Sequence, residues 1–122
     1  MMPKQKITVG VLDGAELIKT RLLSAIDEMD AFVLMDLNIQ DVESIDADVI
    51  ILDIHRLNGE SLPLIRQLKS LPQPPLVMVF TSYVNAQSKF MCWQAGADYF
   101  FDKAYDLERL TAVLEKMIVV TA

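Results

Sequence analysis

The chain predicts a three-layer α/β/α domain, a five-stranded parallel sheet covered by helices on both faces. Three observations carry that expectation. Apolar runs of β-rich composition alternate along the chain with segments whose apolar residues recur at three and four. The run Asp48-Val-Ile-Ile-Leu-Asp53 is continuously apolar between its two acids, the pattern of a strand buried on both faces. The apolar fraction, 52% of 122 residues, sits slightly above the usual range and suits strands covered on both sides in a chain long enough to bury a core.

Taken in order, Ile7–Leu12 is a short β-rich run that ends at Asp13-Gly14. From Ala15 to Met29 the period changes, with Ile18, Leu22, Ala25, Ile26 and Met29 on one stripe, an amphipathic helix that Asp13 is placed to cap. Phe32–Leu37 reads as a second strand, interrupted by Asp36. Gln40–Ile45 has room for a turn or two of helix, and the strand Val49–Leu52 follows. Beyond the polar stretch His55–Ser61, a helix over Leu62–Leu71 turns Leu64, Ile65 and Leu68 to one side. Pro63 is tolerated there because it falls in the first turn, and Pro72, Pro74 and Pro75 end the helix. Leu76–Phe80 is a further apolar run closed by Thr81-Ser82. A helix from Asn85 to Ala95 is stopped by Gly96, and Tyr99–Phe101 is a short aromatic strand before Asp102-Lys103. Asp106 caps a last helix through about Val119, apolar at Leu107, Leu110, Val113, Leu114, Met117 and Ile118.

Composition removes several function classes. With 11 Lys plus Arg against 17 Asp plus Glu, the formal net charge of −6 argues against a nucleic-acid partner, which would call for a basic face. One cysteine excludes an internal disulfide and fits a reducing compartment. No apolar run approaches a membrane span, and the start, Met-Met-Pro-Lys-Gln-Lys, lacks the long apolar region of a signal peptide. The expectation is a cytoplasmic protein with no membrane partner.

Four of the five expected strands end on Asp13, Asp53, Thr81 and Lys103. In a parallel sheet these ends lie on one edge, where open α/β sheets place their ligands. A carboxylate can act as the nucleophile that forms an acyl phosphate. Phosphoryl transfer needs in-line positioning and charge neutralisation, which a hard divalent cation, a lysine ammonium and a threonine hydroxyl can supply. The set is chemically complete for accepting a phosphoryl group on Asp53.

The segments Val11-Leu12-Asp13, Val49-Ile50-Ile51-Leu52-Asp53, Phe80-Thr81-Ser82, Ala95-Gly96-Ala97-Asp98 and Lys103, in this order and spacing, resemble the receiver domain of two-component response regulators over nearly the whole chain. The resemblance implies a flavodoxin-like sheet of order 2-1-3-4-5. It implies Asp53 as phosphoacceptor, Thr81 as switch hydroxyl, Lys103 as the phosphate-contacting lysine and Phe100 as the switch aromatic. It also implies a magnesium ion held by Asp13, Asp53 and the backbone carbonyl of His55. The implied donor is a histidine kinase or phosphotransfer protein, and the implied output is a conformational change read by a protein target rather than an enzymatic activity. A single receiver over 1–122 with no output domain is the expected organisation.

The chain departs from the family pattern at several positions. Receivers usually carry two adjacent acids after the first strand, and here the second is Gly14, which weakens the expected magnesium site. Leu57 replaces a usual proline, Ser61 a usual glycine, and Ala104 the proline that normally follows the lysine. The interval from Asp13 to Asp53 is short, matching a truncated second helix. These changes keep open a degenerate receiver that binds proteins without phosphorylation. A remoter alternative is an aspartate-nucleophile phosphatase, which would want an acid where Ala15 stands. No glycine-rich phosphate loop follows the first strand, so a nucleotide-binding protein is disfavoured. The side chain of the one histidine, His55, reads as loop surface, and Cys92 as a packed apolar residue. Phe90, Met91 and Trp93 make the fourth helix (85–95) more apolar than one buried face requires. With Tyr99, Phe100 and Tyr105 they suggest a partner surface on the fourth helix, fifth strand and fifth helix, where the family commonly signals or forms homodimers.

Overall fold

The computed structural model describes residues 7–12, 24, 32–37, 44–54, 61–82 and 84–121. They form β1 (Ile7–Leu12), β2 (Phe32–Leu37), β3 (Val49–Ile54), α1 (Ser61–Lys69), β4 (Leu76–Thr81), α2 (Ala86–Ala95), β5 (Tyr99–Asp102) and α3 (Leu107–Thr121). All pairings are parallel, and the five strands run in the order β2-β1-β3-β4-β5. That is the flavodoxin-like order expected above. The expected helix over 15–29 and the short one over 40–45 fall outside the described residues, apart from Ser24, which is helical, and Ser44 and Ile45.

The apolar run of β3 lies at the centre of the sheet and is buried on both faces, as its lack of alternation required. Val49 and Ile51 join one core cluster with Val9, Val11, Met78, Phe80 and Phe101, closed by Leu110 and Leu114 of α3. Ile50 and Leu52 join the opposite cluster with Leu12, Val77 and Val79, closed by Leu64, Ile65 and Leu68 of α1 and by Cys92 and Ala95 of α2. Gly10 is the one place on β1 without a side chain, and a Cβ there would run into Leu37 Cδ1 and Ile50 Cδ1.

At the amino-terminal edge of the sheet, Asp48 ties three strands together. Its Oδ2 accepts the Thr8 N–H at 2.9 Å, its own N–H donates to the Thr8 carbonyl at 3.0 Å, and its carbonyl accepts the Leu76 N–H at 3.0 Å. Lys69, at the end of α1, does similar work nearby. Its ammonium donates to the Pro75 carbonyl and to Asp98 Oδ2, both at 2.8 Å. The same Asp98 oxygen accepts the Val77 N–H at 2.8 Å, so one carboxylate fastens α1, the start of β4 and the turn before β5.

Helix α2 starts and stops where its sequence says. Asn85 Oδ1 accepts the Ser88 N–H at 2.8 Å, an N-cap. At the other end Gly96 takes φ +113°, its N–H directed to the Cys92 and Trp93 carbonyls, while the Ala97 N–H reaches the Cys92 carbonyl at 3.0 Å. This is a Schellman-type cap, which needs a residue tolerant of the left-handed region. A Cβ at Gly96 would also sit 3.0 Å from Lys69 Cγ, and that stem is pinned by its two hydrogen bonds. Gly96→Ala is therefore expected to lower the stability by about 1–2 kcal/mol. Urea unfolding should show this as a lower midpoint with an unchanged slope, and Gly96→Asn should lose less because Asn enters this region more readily.

Three strands run one or two residues past the apolar runs that announce them, to Ile54, Thr81 and Asp102. The cap at Asp106 differs in detail from the expectation. Its carbonyl accepts the first helical bond, from the Leu110 N–H at 2.9 Å, while its carboxylate turns back and accepts the Asp102 N–H at 2.8 Å.

Candidate functional site

Parallel pairing alone brings the strand-end residues to one edge of the sheet. Leu12, the last residue of β1, lies opposite Leu52, and Asp53 follows it in β3. Asp53 lies opposite Phe80 in β4, and the next pair is Ile54 with Thr81. Thr81 in turn lies opposite Asp102, the last residue of β5. Neighbouring strands are spaced by about 4.8 Å, so the backbones at Asp53 and Thr81 are direct neighbours, whereas β5 is roughly 10 Å from β3. A short hydroxyl on β4 and a long lysine after β5 are the side-chain lengths that such spacings call for.

Lys103 is held to this edge by its backbone, its N–H donating to the Thr81 carbonyl at 2.9 Å. The turn behind it is fixed by Asp102 Oδ1, which accepts the Ala104 N–H at 2.8 Å, by the Asp106 N–H, which donates to the Asp102 carbonyl at 2.8 Å, and by the Asp106 carboxylate described above. A proline at Ala104, usual in the family, would have no N–H for Asp102 to accept. Thr81 is buried, one of two polar side chains among the described residues to be so. Phe100 lies opposite Val79, two positions before Thr81, and the pleat puts Phe100 and Thr81 on the same face of the sheet. Phe100 is partly buried against the cluster that α1 and α2 cover.

The structure thus places Asp53, Thr81, Lys103 and Phe100 on two adjacent strand pairs at one end of the sheet. Asp13, Gly14 and His55 lie outside the described residues, as does the side chain of Asp53. Cys92 is a core residue. Burial pushes its thiol up to about 11, which keeps it protonated at neutral pH and unsuited to nucleophilic chemistry. Sequence reasoning did not single out Lys69, and took Asp48 only as the boundary of an apolar run. Asp98 was noticed only as part of the Ala-Gly-Ala-Asp segment, and its bonds to Lys69 and the Val77 N–H give that segment a physical role.

The helix α2 bears out the reading of its composition. It buries Ser88, Cys92 and Ala95 and leaves Phe90 57% and Trp93 56% exposed, with the Lys89 ammonium 5.3 Å from the centre of the Trp93 ring. Tyr105, in the turn after Lys103, is 84% exposed, while Tyr99 and Phe101 stack with ring centres 5.7 Å apart. Among the described residues no helix is long and apolar enough to cross a membrane.

No protein-family model matches the chain, and no curated protein matches its sequence. Solved structures do. A response regulator from Thermotoga maritima is 25% identical and superposes with a TM-score of 0.78, covering 93% of this chain and 98% of that one. A pilus assembly-related protein from Burkholderia pseudomallei is 15% identical with a TM-score of 0.78, covering 95% and 92% of the two chains. The signal receiver domain of the response regulator NarL from Mycobacterium tuberculosis is 19% identical with a TM-score of 0.75, covering 91% and 95%. The fold is that of the receiver modules of two-component signalling, as the five motif segments implied.

Proposed function

We propose that this chain, which carries the receiver-domain fold of two-component response regulators, accepts a phosphoryl group on Asp53 and passes the signal to a protein partner. In the transfer, an Asp53 carboxylate oxygen attacks phosphorus, the bond from phosphorus to the imidazole nitrogen of the kinase or phosphotransfer protein breaks, and the imidazole leaves to take up a proton. The product is an acyl phosphate. Lys103 would neutralise the charge that collects on the phosphoryl oxygens, and the Thr81 hydroxyl would bond one of them. The donor's histidine supplies half of the chemistry, so the chain acts as a signal acceptor rather than an enzyme.

The observation that carries this reading is the hydrogen bond from Lys103 N–H to the Thr81 carbonyl, at the strand end adjoining Asp53. The backbone of the lysine that follows β5 is fastened directly to that of the threonine that ends β4, beside the candidate acceptor. The remaining donors expected at the site are two carboxylates, Asp13 and Asp53, and the His55 carbonyl. All are hard oxygen ligands, which suits magnesium with waters filling the other positions. When bound, the ion would offset charge on the phosphoryl oxygens during transfer.

The output would run through Thr81 and Phe100. Drawing the threonine hydroxyl toward a phosphoryl group leaves room behind it on the same face, where Phe100 can change rotamer, biasing an existing two-state equilibrium. Phe90, Trp93 and Tyr105 would then lie on or beside the surface that a target or a second copy reads. A second reading keeps the partner and drops the phosphoryl group. Gly14 removes a metal ligand, and the aromatic surface of α2 is exposed in the unmodified chain.

Incubation with acetyl phosphate and magnesium followed by intact-protein mass measurement separates the two. An added phosphoryl mass that Asp53→Asn abolishes is the expected result. No adduct, under conditions that label an ordinary receiver, would leave the phosphorylation-independent module as the function.

A further inference from the structure

The helical layer made by α1 and α2 differs in charge from the rest of the molecule. Residues 61–97 contain Arg66, Lys69 and Lys89 and not one Asp or Glu, although the chain holds 17 acids and a net charge of −6. The flanking acids in sequence are Glu60 and Asp98, and the Asp98 carboxylate is taken up by Lys69 and the Val77 N–H. Apart from the buried strand β4, the acid-free stretch supplies the two helices α1 and α2. Helices α1 and α2 lie side by side over the same core cluster, α1 through Leu64, Ile65 and Leu68, α2 through Cys92 and Ala95. Their outward residues are neutral, basic or aromatic, namely Arg66 and Gln67 on α1 and Gln87, Lys89, Phe90 and Trp93 on α2. Asp46, exposed between Ile45 and Ala47, is a further described acid, beside residues that pack on the same cluster.

The helix on the other side of the sheet is unlike it. Helix α3 exposes Glu108, Arg109, Glu115 and Lys116, charges of both signs that suit a solvated face. Helices α1 and α2, by contrast, carry no acid beside Phe90 and Trp93. Burying them against a partner would recover apolar area that neither helix covers, and the face they occupy repels cations while leaving Arg66 and Lys89 to meet acids.

We infer that the outer face of α1 and α2 is a docking surface for an acidic protein segment, one that seats apolar side chains on Phe90 and Trp93 and places carboxylates against Lys89 and Arg66. The inference goes beyond the phosphoryl-acceptor reading, because the face exists in the unmodified chain.

The test uses the full chain carrying Asp53→Asn, so that its result is separate from that of phosphorylation. A library of random displayed peptides is selected on this protein and depleted on the same protein bearing Phe90→Ser and Lys89→Glu, both exposed sites at which folding is unaffected. Selected peptides should carry an excess of Asp and Glu around spaced leucine, isoleucine or phenylalanine. Binding of the best of them, read from the emission of Trp93, the sole tryptophan, should weaken on the order of tenfold with Lys89→Glu and again with Arg66→Glu. It should also weaken when salt is raised from about 0.05 M to about 0.5 M. Neutral or basic selected peptides, no selected peptide at all, or indifference to both charge reversals would overturn the inference. So would concentration-dependent self-association in the centrifuge that Phe90→Ser abolishes, since the occupant would then be a second copy of the chain.

Discussion

Phe80→Ala is expected to lower the stability by about 3–5 kcal/mol, whereas Phe90→Ala changes it by less than about 0.5 kcal/mol. The two residues are the same in kind and ten positions apart, and only their surroundings differ. Phe80 is 1% exposed on the central part of the sheet, packed in the cluster with Ile51, Met78, Phe101, Leu110 and Leu114, and paired in register with Asp53. Removing its ring leaves a cavity between β4 and α3 that rigid strand backbones cannot collapse to fill. Phe90 is 57% exposed on α2, so its removal uncovers little and leaves no enclosed cavity. Since a domain of this size is stable by only about 5–15 kcal/mol, Phe80→Ala should lose a large share of the total. Urea unfolding followed by circular dichroism would measure both. Comparable losses at the two sites would mean that the ring of Phe90 is buried in solution, by a second copy or otherwise.

The parts of the fold that were legible are those in which one physical cause dominates. Val49–Leu52 could be read because burial on both faces removes alternation, and Gly96 because a left-handed cap excludes most other residues. The strand ends were less legible. Hydrogen-bonded pairing continues through Asp53, Thr81 and Asp102 regardless of polarity, while the apolar signal stops before them. Asp106 shows another limit. An acid before a helix satisfies either the helix or a neighbouring chain segment, and here its carboxylate serves Asp102 instead. The bond network of Lys69, Pro75, Val77 and Asp98 joins residues far apart in sequence, and no local pattern announces it. Asp53, Thr81 and Lys103 could be proposed together because parallel topology turns separate motifs into one edge. The acid-free layer escaped notice for the opposite reason, since an absence of acids over 61–97 makes no motif and acquires meaning only once α1 and α2 are seen side by side.

Gly14→Asp is expected to tighten magnesium binding ten- to a hundredfold and to speed phosphoryl acceptance at low magnesium. Ligand charge is the cause. A hard cation gains affinity with each carboxylate that faces it, and in receivers the second of two adjacent acids after the first strand is the direct ligand. Here that place falls to Gly14, so the proposed site would hold the ion with the carboxylates of Asp13 and Asp53 and the neutral carbonyl of His55. In the proposed site the restored acid would add negative charge near Lys103, and the lysine would offset part of the added repulsion when no ion is bound. Calorimetric titration with magnesium, run on the natural chain, on Gly14→Asp, and on Gly14→Asp combined with Asp13→Asn, gives the decisive comparison. The double variant should fall back toward the natural affinity, because two carboxylates would again remain. If Gly14→Asp leaves the affinity unchanged, residue 14 does not face the ion, and the glycine has not cost this chain its metal. If affinity rises but acetyl phosphate still fails to label Asp53, the missing acid is not what separates this chain from an ordinary receiver, and the phosphorylation-independent reading gains accordingly.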